Sequence, residues 1–224
     1  MGISFGYIIV MIVGAVISGL AALWVRSSYS KYSKQASASG LTGAQTARMI
    51  LDQNGLTNVK VEPVAGTLTD HYDPRSKVVR LSEDNFSKNT IAGVSVAAHE
   101  VGHAIQDASG YVPMKLRSGL VPIVNFGASL WMPLFMMGIF GLGSFFINLA
   151  IIAFAGVLAF HVVTLPVEIN ASTRAYGLLQ RYGILSAKEA GGTRRVLTAA
   201  AFTYIAAALT SVLTLLYLLA VSRN

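Results

Sequence analysis

The 224-residue chain has no cysteine and only ten acidic residues. Without thiols there is no disulfide, no thiolate nucleophile, no iron–sulfur cluster and no cysteine-held zinc. Charged residues of both signs make up 12% of the chain, against about 25% in an average soluble domain. Hydrophobic residues make up 54%, and the mean hydropathy is +0.58. That balance rules out disorder and argues against a simple soluble globule. The shortage of charge is also local. No Asp, Glu, Lys or Arg occurs in the first 25 residues, in the 50 from Ser118 to Val167, or in the 27 from Val196 to Ser222. A bilayer core takes about 20 apolar residues in a helix. The sequence therefore reads as a multi-pass membrane protein.

The first span is expected at residues 3–25. It has no basic n-region and is longer than a signal-peptide core, so it reads as an uncleaved anchor. The 50-residue run suits a hairpin of spans at 120–140 and 144–165, with Gly138, Gly141 and Gly143 at the bend. The last span is expected at 196–221. A net charge of +7 would suggest nucleic acid in a soluble protein, but here it fits loops held on the cytoplasmic side, and no nucleic-acid partner is expected. Eleven of the basic residues lie between Arg26 and Arg117, and five more between Glu168 and Arg195. The positive-inside rule then puts both segments in the cytoplasm and both termini outside. Five sections result: a span at 1–25, a cytoplasmic portion at 26–117, a hairpin at 118–167, a cytoplasmic helix at 168–195, and a span with its tail at 196–224.

Within 26–117, Thr42 and Gln45 form a capping-box pattern that opens a helix at 43–53, closed by Gly55. Alternation predicts a strand at 59–64. Two further strands, at 67–72 and 77–81, flank Asp73-Pro74-Arg75-Ser76, a turn sequence. A longer helix is expected at 90–107, capped by Asn89.

That helix contains His99-Glu100-Val101-Gly102-His103, an H-E-x-x-H motif. Residues i and i+4 share a helix face, so both imidazoles can reach one metal, and zinc favours nitrogen ligands. Glu100, one residue on, is placed to meet water at the metal rather than to ligate, which is the general-base position of a zinc peptidase. Small apolar residues precede the motif, as a buried helix requires, and Gly102 leaves room for another element. Catalytic zinc uses three protein ligands. After Asp107 the chain has two carboxylates, Glu168 and Glu189. Glu168 follows Pro166 as the chain leaves the third span, on the same side as the histidines, where a charge beside hydrocarbon is costly unless partnered. The competing reading is a helix N-terminal acid held by the dipole. Glu189, beside Lys188, reads as solvated. His161 reads as a hydrogen-bonded residue between helices or a group behind the site. His71 and Tyr72, on the proposed hairpin, either face a substrate cleft or lie on a surface strand.

Taken together, Leu68-Thr69-Asp70-His71-Tyr72-Asp73-Pro74-Arg75, Val79-Arg80-Leu81-Ser82, Ala98-His99-Glu100-Val101-Gly102-His103-Ala104-Ile105-Gln106 and Leu165-Pro166-Val167-Glu168 resemble the YugP family of neutral zinc metallopeptidases of bacterial membranes. The resemblance covers nearly the whole chain. A more distant likeness is to the HtpX and CAAX prenyl proteases, where a Glu-x-x-x-Asp helix follows the motif and a membrane hairpin. The first position of that pattern falls on Glu168; the fifth falls on Ser172 rather than Asp. The resemblance thus implies Glu168 as a zinc ligand, and leaves Asn170 or Ser172 to orient a histidine.

The resulting expectation is a mainly α, four-span membrane protein whose small α+β, zincin-like portion carries the active-site helix. One zinc per chain would be held by His99, His103 and Glu168, with Glu100 as base. His71, Tyr72, Arg174 and Tyr176 are candidates to assist the oxyanion. Substrates would be peptides or proteins, membrane proteins among them. The rival reading is a membrane scaffold with a structural or inactive metal site, which would not need Glu100.

Overall fold

The computed structural model describes residues 5–223 and is mainly helical. Four helices are long and apolar enough to cross a membrane: α1 (Phe5–Tyr32), α5 (Val112–Met137, continued by a π turn to Leu142), α6 (Ser144–Arg181) and α7 (Ala190–Ser222). Between α1 and α5 lie α2 (Gly43–Gln53), β1 (Lys60–Val64), β2 (His71–Asp73), β3 (Val78–Ser82), α3 (Glu83–Ser87) and α4 (Ile91–Ala108). The chain is a multi-pass membrane protein. It divides into two compact units, one of residues Met1–Ala22, Pro113–Pro166 and Phe202–Asn224, the other of Leu23–Val112 and Val167–Ala201.

In the first unit, Val124 and Phe135 of α5, Ala150, Phe154 and Val157 of α6, and Leu218 of α7 form a buried cluster. Small residues let the helices close up: a Cβ on Gly127 would lie 2.9 Å from the Ala153 carbonyl oxygen. The bend between α5 and α6 uses the expected glycines, with φ of 96° at Gly141 and 103° at Gly143. His161 meets Ser211 Oγ of α7 at 2.7 Å, so it bonds between helices.

In the second unit a three-stranded sheet has the order β1-β3-β2, with β1 parallel and β2 antiparallel to β3. Its core includes Ile50 and Leu51 of α2, Val79 and Leu81 of β3, and Ala97, Ala98 and Val101 of α4. The local signals around α2 act as expected. Thr42 Oγ1 accepts from the Gln45 amide at 3.2 Å, Gln45 returns a bond to the Thr42 amide at 2.9 Å, and Gly55 closes the helix at φ 72°. At the hairpin turn, Asp73 accepts from the Arg75 amide and the Ser76 hydroxyl. These bonds, the Ser76 hydroxyl foremost, lower the Asp73 carboxyl to about 2.

Four expectations need correction. The first arm of the hairpin is only His71–Asp73, because Gly66 and Leu68 take positive φ and break the extended chain ahead of it. Thr90, not Asn89, caps α4, its hydroxyl accepting from the Gly93 amide at 3.0 Å. Pro166 does not start a helix; it lies inside α6, and Glu168 sits deep in that helix. A helix-dipole role for Glu168 is thereby removed, since such effects fade beyond the first turn. Glu189 is not solvated: it is buried and accepts from the Ala38 amide at 2.7 Å and the Ser186 amide at 3.0 Å.

Candidate metal centre

The site begins with α4. Four residues of helix set His99 and His103 on one face, with ring centroids 4.8 Å apart and planes at 84°. The facing wall is α6 beyond Pro166. It comes within backbone distance because residue 102 has no side chain: a Cβ there would lie 2.8 Å from the Ala171 carbonyl oxygen. That approach brings Glu168 Oε2 to 3.3 Å from His99 Nε2 and 3.5 Å from His103 Nε2. Glu168 and His103 are buried, at 2% and 7% exposure.

These three side chains can each offer one ligand atom, all within 4.8 Å of one another. Zinc ligands at about 2.0–2.1 Å in a tetrahedron have edges of about 3.3–3.4 Å. The two nitrogen–oxygen separations, 3.3 and 3.5 Å, match those edges, so the donor set and its spacing fit zinc. Two neutral imidazoles and one carboxylate also match a catalytic set that leaves a fourth position open.

The electrostatics are those of a crowded buried cluster. Burial opposes charge on His103, but hydrogen bonding to Glu168 and the charges of Glu100 and Glu168 outweigh it and raise its pKa. Burial raises the Glu100 carboxyl above the ordinary carboxylate range; His99 and His103 pull it back, while Glu168 and Asp70 add to the rise. Glu100 is 7% exposed, and its carboxylate makes no hydrogen bond to any described residue.

Groups behind the histidines hold them. Ser172 Oγ lies 3.2 Å from His99 Nδ1. Asn170 reaches His103 only through Gln106, whose Oε1 lies 3.0 Å from His103 Nδ1 and whose Nε2 bonds to Asn170 Oδ1 at 3.0 Å. Arg174 Nε donates to Asn170 Oδ1 at 2.7 Å. Sequence reasoning gave Gln106 no role, although it follows His103 by three residues and so shares its face.

The other candidates are placed differently. Tyr72 is buried and its hydroxyl donates to Asp107 Oδ2 at 2.7 Å; Lys77 also bonds that carboxylate. Burial, then the hydrogen bond and charge of Asp107, raise the Tyr72 pKa. His71 is exposed, with Nδ1 at 2.8 Å from the Thr69 carbonyl. Tyr176 lies under the Arg194 guanidinium at 4.7 Å. Asp70, which drew no separate role, accepts from the Ser82 amide, the Ser82 hydroxyl and Asn85 Nδ2, and Asn85 Oδ1 in turn accepts from Tyr29.

The close approach at Gly102 predicts a measurable sensitivity. A valine there must push Ala171 and the Glu168 helix away from α4. Gly102→Val is expected to lose metal binding and about 1–3 kcal/mol of stability, as overpacked sites do. Thermal unfolding and metal content of the purified variant check this; wild-type values for both would contradict it.

Across residues 7–223 the chain matches the family described as "Putative neutral zinc metallopeptidase". It is 49% identical over 201 residues to "Putative membrane protease YugP" of Bacillus subtilis (strain 168), an alignment covering 89% of each chain. No solved structure matches.

Proposed function

Since the chain belongs to the neutral zinc metallopeptidase family, we propose that it is an H-E-x-x-H endopeptidase of the membrane, carrying one zinc held by His99, His103 and Glu168. When bound, zinc supplies Lewis acidity toward the scissile carbonyl and toward water. The two imidazoles present Nε2 to it, and Glu168 adds negative charge within 3.5 Å of both nitrogens. Glu100 takes the proton from the attacking water on a carboxylate oxygen and returns it to the leaving amide nitrogen.

One observation supports an enzyme over a scaffold. Glu100 is buried beside the cluster, lies outside the ligand set, and its carboxylate has no hydrogen-bonded partner among the described residues. Burying a carboxyl without a partner is costly. A structural metal site gains nothing from it, whereas a base reserved for water and substrate must be left uncommitted. The helix carrying it, with a three-stranded sheet in the same unit, supports a zincin-like reading.

The test is chemical. Full-length protein purified in detergent without chelator is expected to contain about one zinc per chain and to cleave peptides. A chelator should abolish cleavage and added zinc restore it. Metal-free, inert protein would overturn the reading.

Sidedness is part of the proposal. Both halves of the site face the cytoplasm of a bacterial inner membrane, both termini lie outside, and the substrates are peptides or proteins, including membrane proteins, met on the cytoplasmic side. Reporters fused near Lys34 and Lys188 are expected to report the cytoplasm, and one at Gly141 the outside. If Lys34 and Lys188 reported opposite sides, Glu168 and His99 could not share a metal.

A further inference from the structure

Resting on the zinc-site reading above, we propose that Gln106 is a positioning residue that fixes the tautomer of His103, and that Arg174 and Asn170 in turn fix Gln106. Arg174 can only donate, so the Asn170 atom it meets at 2.7 Å is the amide oxygen. That same oxygen faces the Gln106 side chain at 3.0 Å, and the Val167 carbonyl oxygen faces it at 2.8 Å. Two acceptors require the amide nitrogen of Gln106 on that side. Both of its hydrogens are then used, and the Gln106 oxygen must point at His103 Nδ1, 3.0 Å away. An amide oxygen only accepts, so the proton of the neutral ring sits on Nδ1. The rival acceptor, Glu168 Oε2, stands farther off, 3.5 Å from Nε2, and lies nearer to His99 Nε2 at 3.3 Å, so the shorter Gln106 contact sets the neutral ring and leaves the Nε2 lone pair for the metal.

The link between Gln106 and His103 is sheltered from competition by water, while Asn170 and Arg174 are half-buried. Gln106 is fully buried and His103 nearly so. Imidazole free in water favours the proton on Nε2, so an unheld His103 would often present N–H to the metal. The partner of His99 does not have this property. Ser172 carries a hydroxyl, which donates or accepts with equal ease, so His99 is held in place without a dictated tautomer. His103 is thus the ligand prepared in advance, and a chain of three side chains from α4 and α6 prepares it.

The test uses full-length protein in detergent, labelled with 15N at histidine, with zinc as the probe. NMR of wild type at a pH where the ring is neutral is expected to show the His103 proton on Nδ1, both without metal and with zinc loaded. Gln106→Leu is expected to weaken zinc binding about 10- to 100-fold in chelator competition, the usual cost of losing a group behind a metal ligand. Its His103 proton should shift toward Nε2. Asn170→Asp keeps an acceptor for both Gln106 and Arg174 and should retain wild-type affinity. Asn170→Leu frees the Gln106 amide to turn over and should resemble Gln106→Leu. If Gln106→Leu does not fold, the two Asn170 variants decide the matter. A proton on Nε2 in wild type, or unchanged zinc affinity and tautomer in the folded Gln106 or Asn170→Leu variants, would overturn the proposal. Failure of wild type to bind zinc would overturn the zinc reading instead, and the tautomer in metal-free protein would still decide this one.

Discussion

Glu100→Gln keeps its zinc and loses about 10²–10⁴-fold in peptide cleavage, the range for removing one general acid–base group. Glutamine matches glutamate in volume and helix propensity, so the burial of position 100 is kept. Only the basic oxygen is lost. Because Glu100 lies outside the ligand triplet, metal content should stay at the wild-type level. The raised pKa of Glu100 points to a second gain: burial makes its neutral form cheap, so proton acceptance in the reaction is favoured by the same desolvation. Zinc content and cleavage are to be measured side by side. A variant that loses metal as readily as a ligand mutant would show that Glu100 is a ligand. One that keeps its metal and the protein's full cellular function while cleavage is lost would leave the scaffold reading standing.

The second large effect belongs to the ligands. His99→Ala and His103→Ala each remove one of three donors. Apparent zinc affinities of about 10–16 kcal/mol in closed four-ligand sites correspond to about 2.5–4 kcal/mol per ligand. Each alanine variant is therefore expected to weaken binding about 60- to 700-fold and to purify with little or no metal. Glu168→Gln should differ in kind. It replaces a charged donor by a weak one of equal volume in a site that is 2% exposed, so cleavage falls but excess zinc recovers part of it. Titration of each variant with zinc, read by cleavage and by elemental analysis, separates the cases. Wild-type metal content in either histidine variant would remove that residue from the site.

Chemistry confined to a few neighbouring residues was legible in the sequence, and tertiary packing was not. The Gly43–Gln53 helix is visible because Thr42, Gln45 and Gly55 satisfy its ends from within the same ten or so residues. The spans are visible because lipid tolerates almost no charge. Glu168 drew notice by scarcity: it is the only carboxylate between Asp107 and Glu189. Pro166 misled, since a proline at a helix start and one tolerated inside a long apolar helix look alike in a string of letters; neighbouring packing decides which occurs. Glu189 misled for a related reason. Its partners, Ala38 and Ser186, include one about 150 residues away. Gln106 carried no signal beyond its three-residue spacing from His103, because a glutamine late in a helix reads as surface until α6 covers it.

The two elements of the site are also far apart in time. His99 and His103 stand on α4, but Glu168 follows His103 by about 65 residues, beyond the whole α5–α6 bend. At about 5–20 residues per second of synthesis, the interval is roughly 3–13 s. Throughout it the nascent chain carries His99, Glu100 and His103 but not Glu168. On the proposed zinc reading, hydrolytic competence would arrive only after the hairpin has been made, and a ribosome-bound or truncated chain stopping anywhere before Glu168 would have the motif without the complete site.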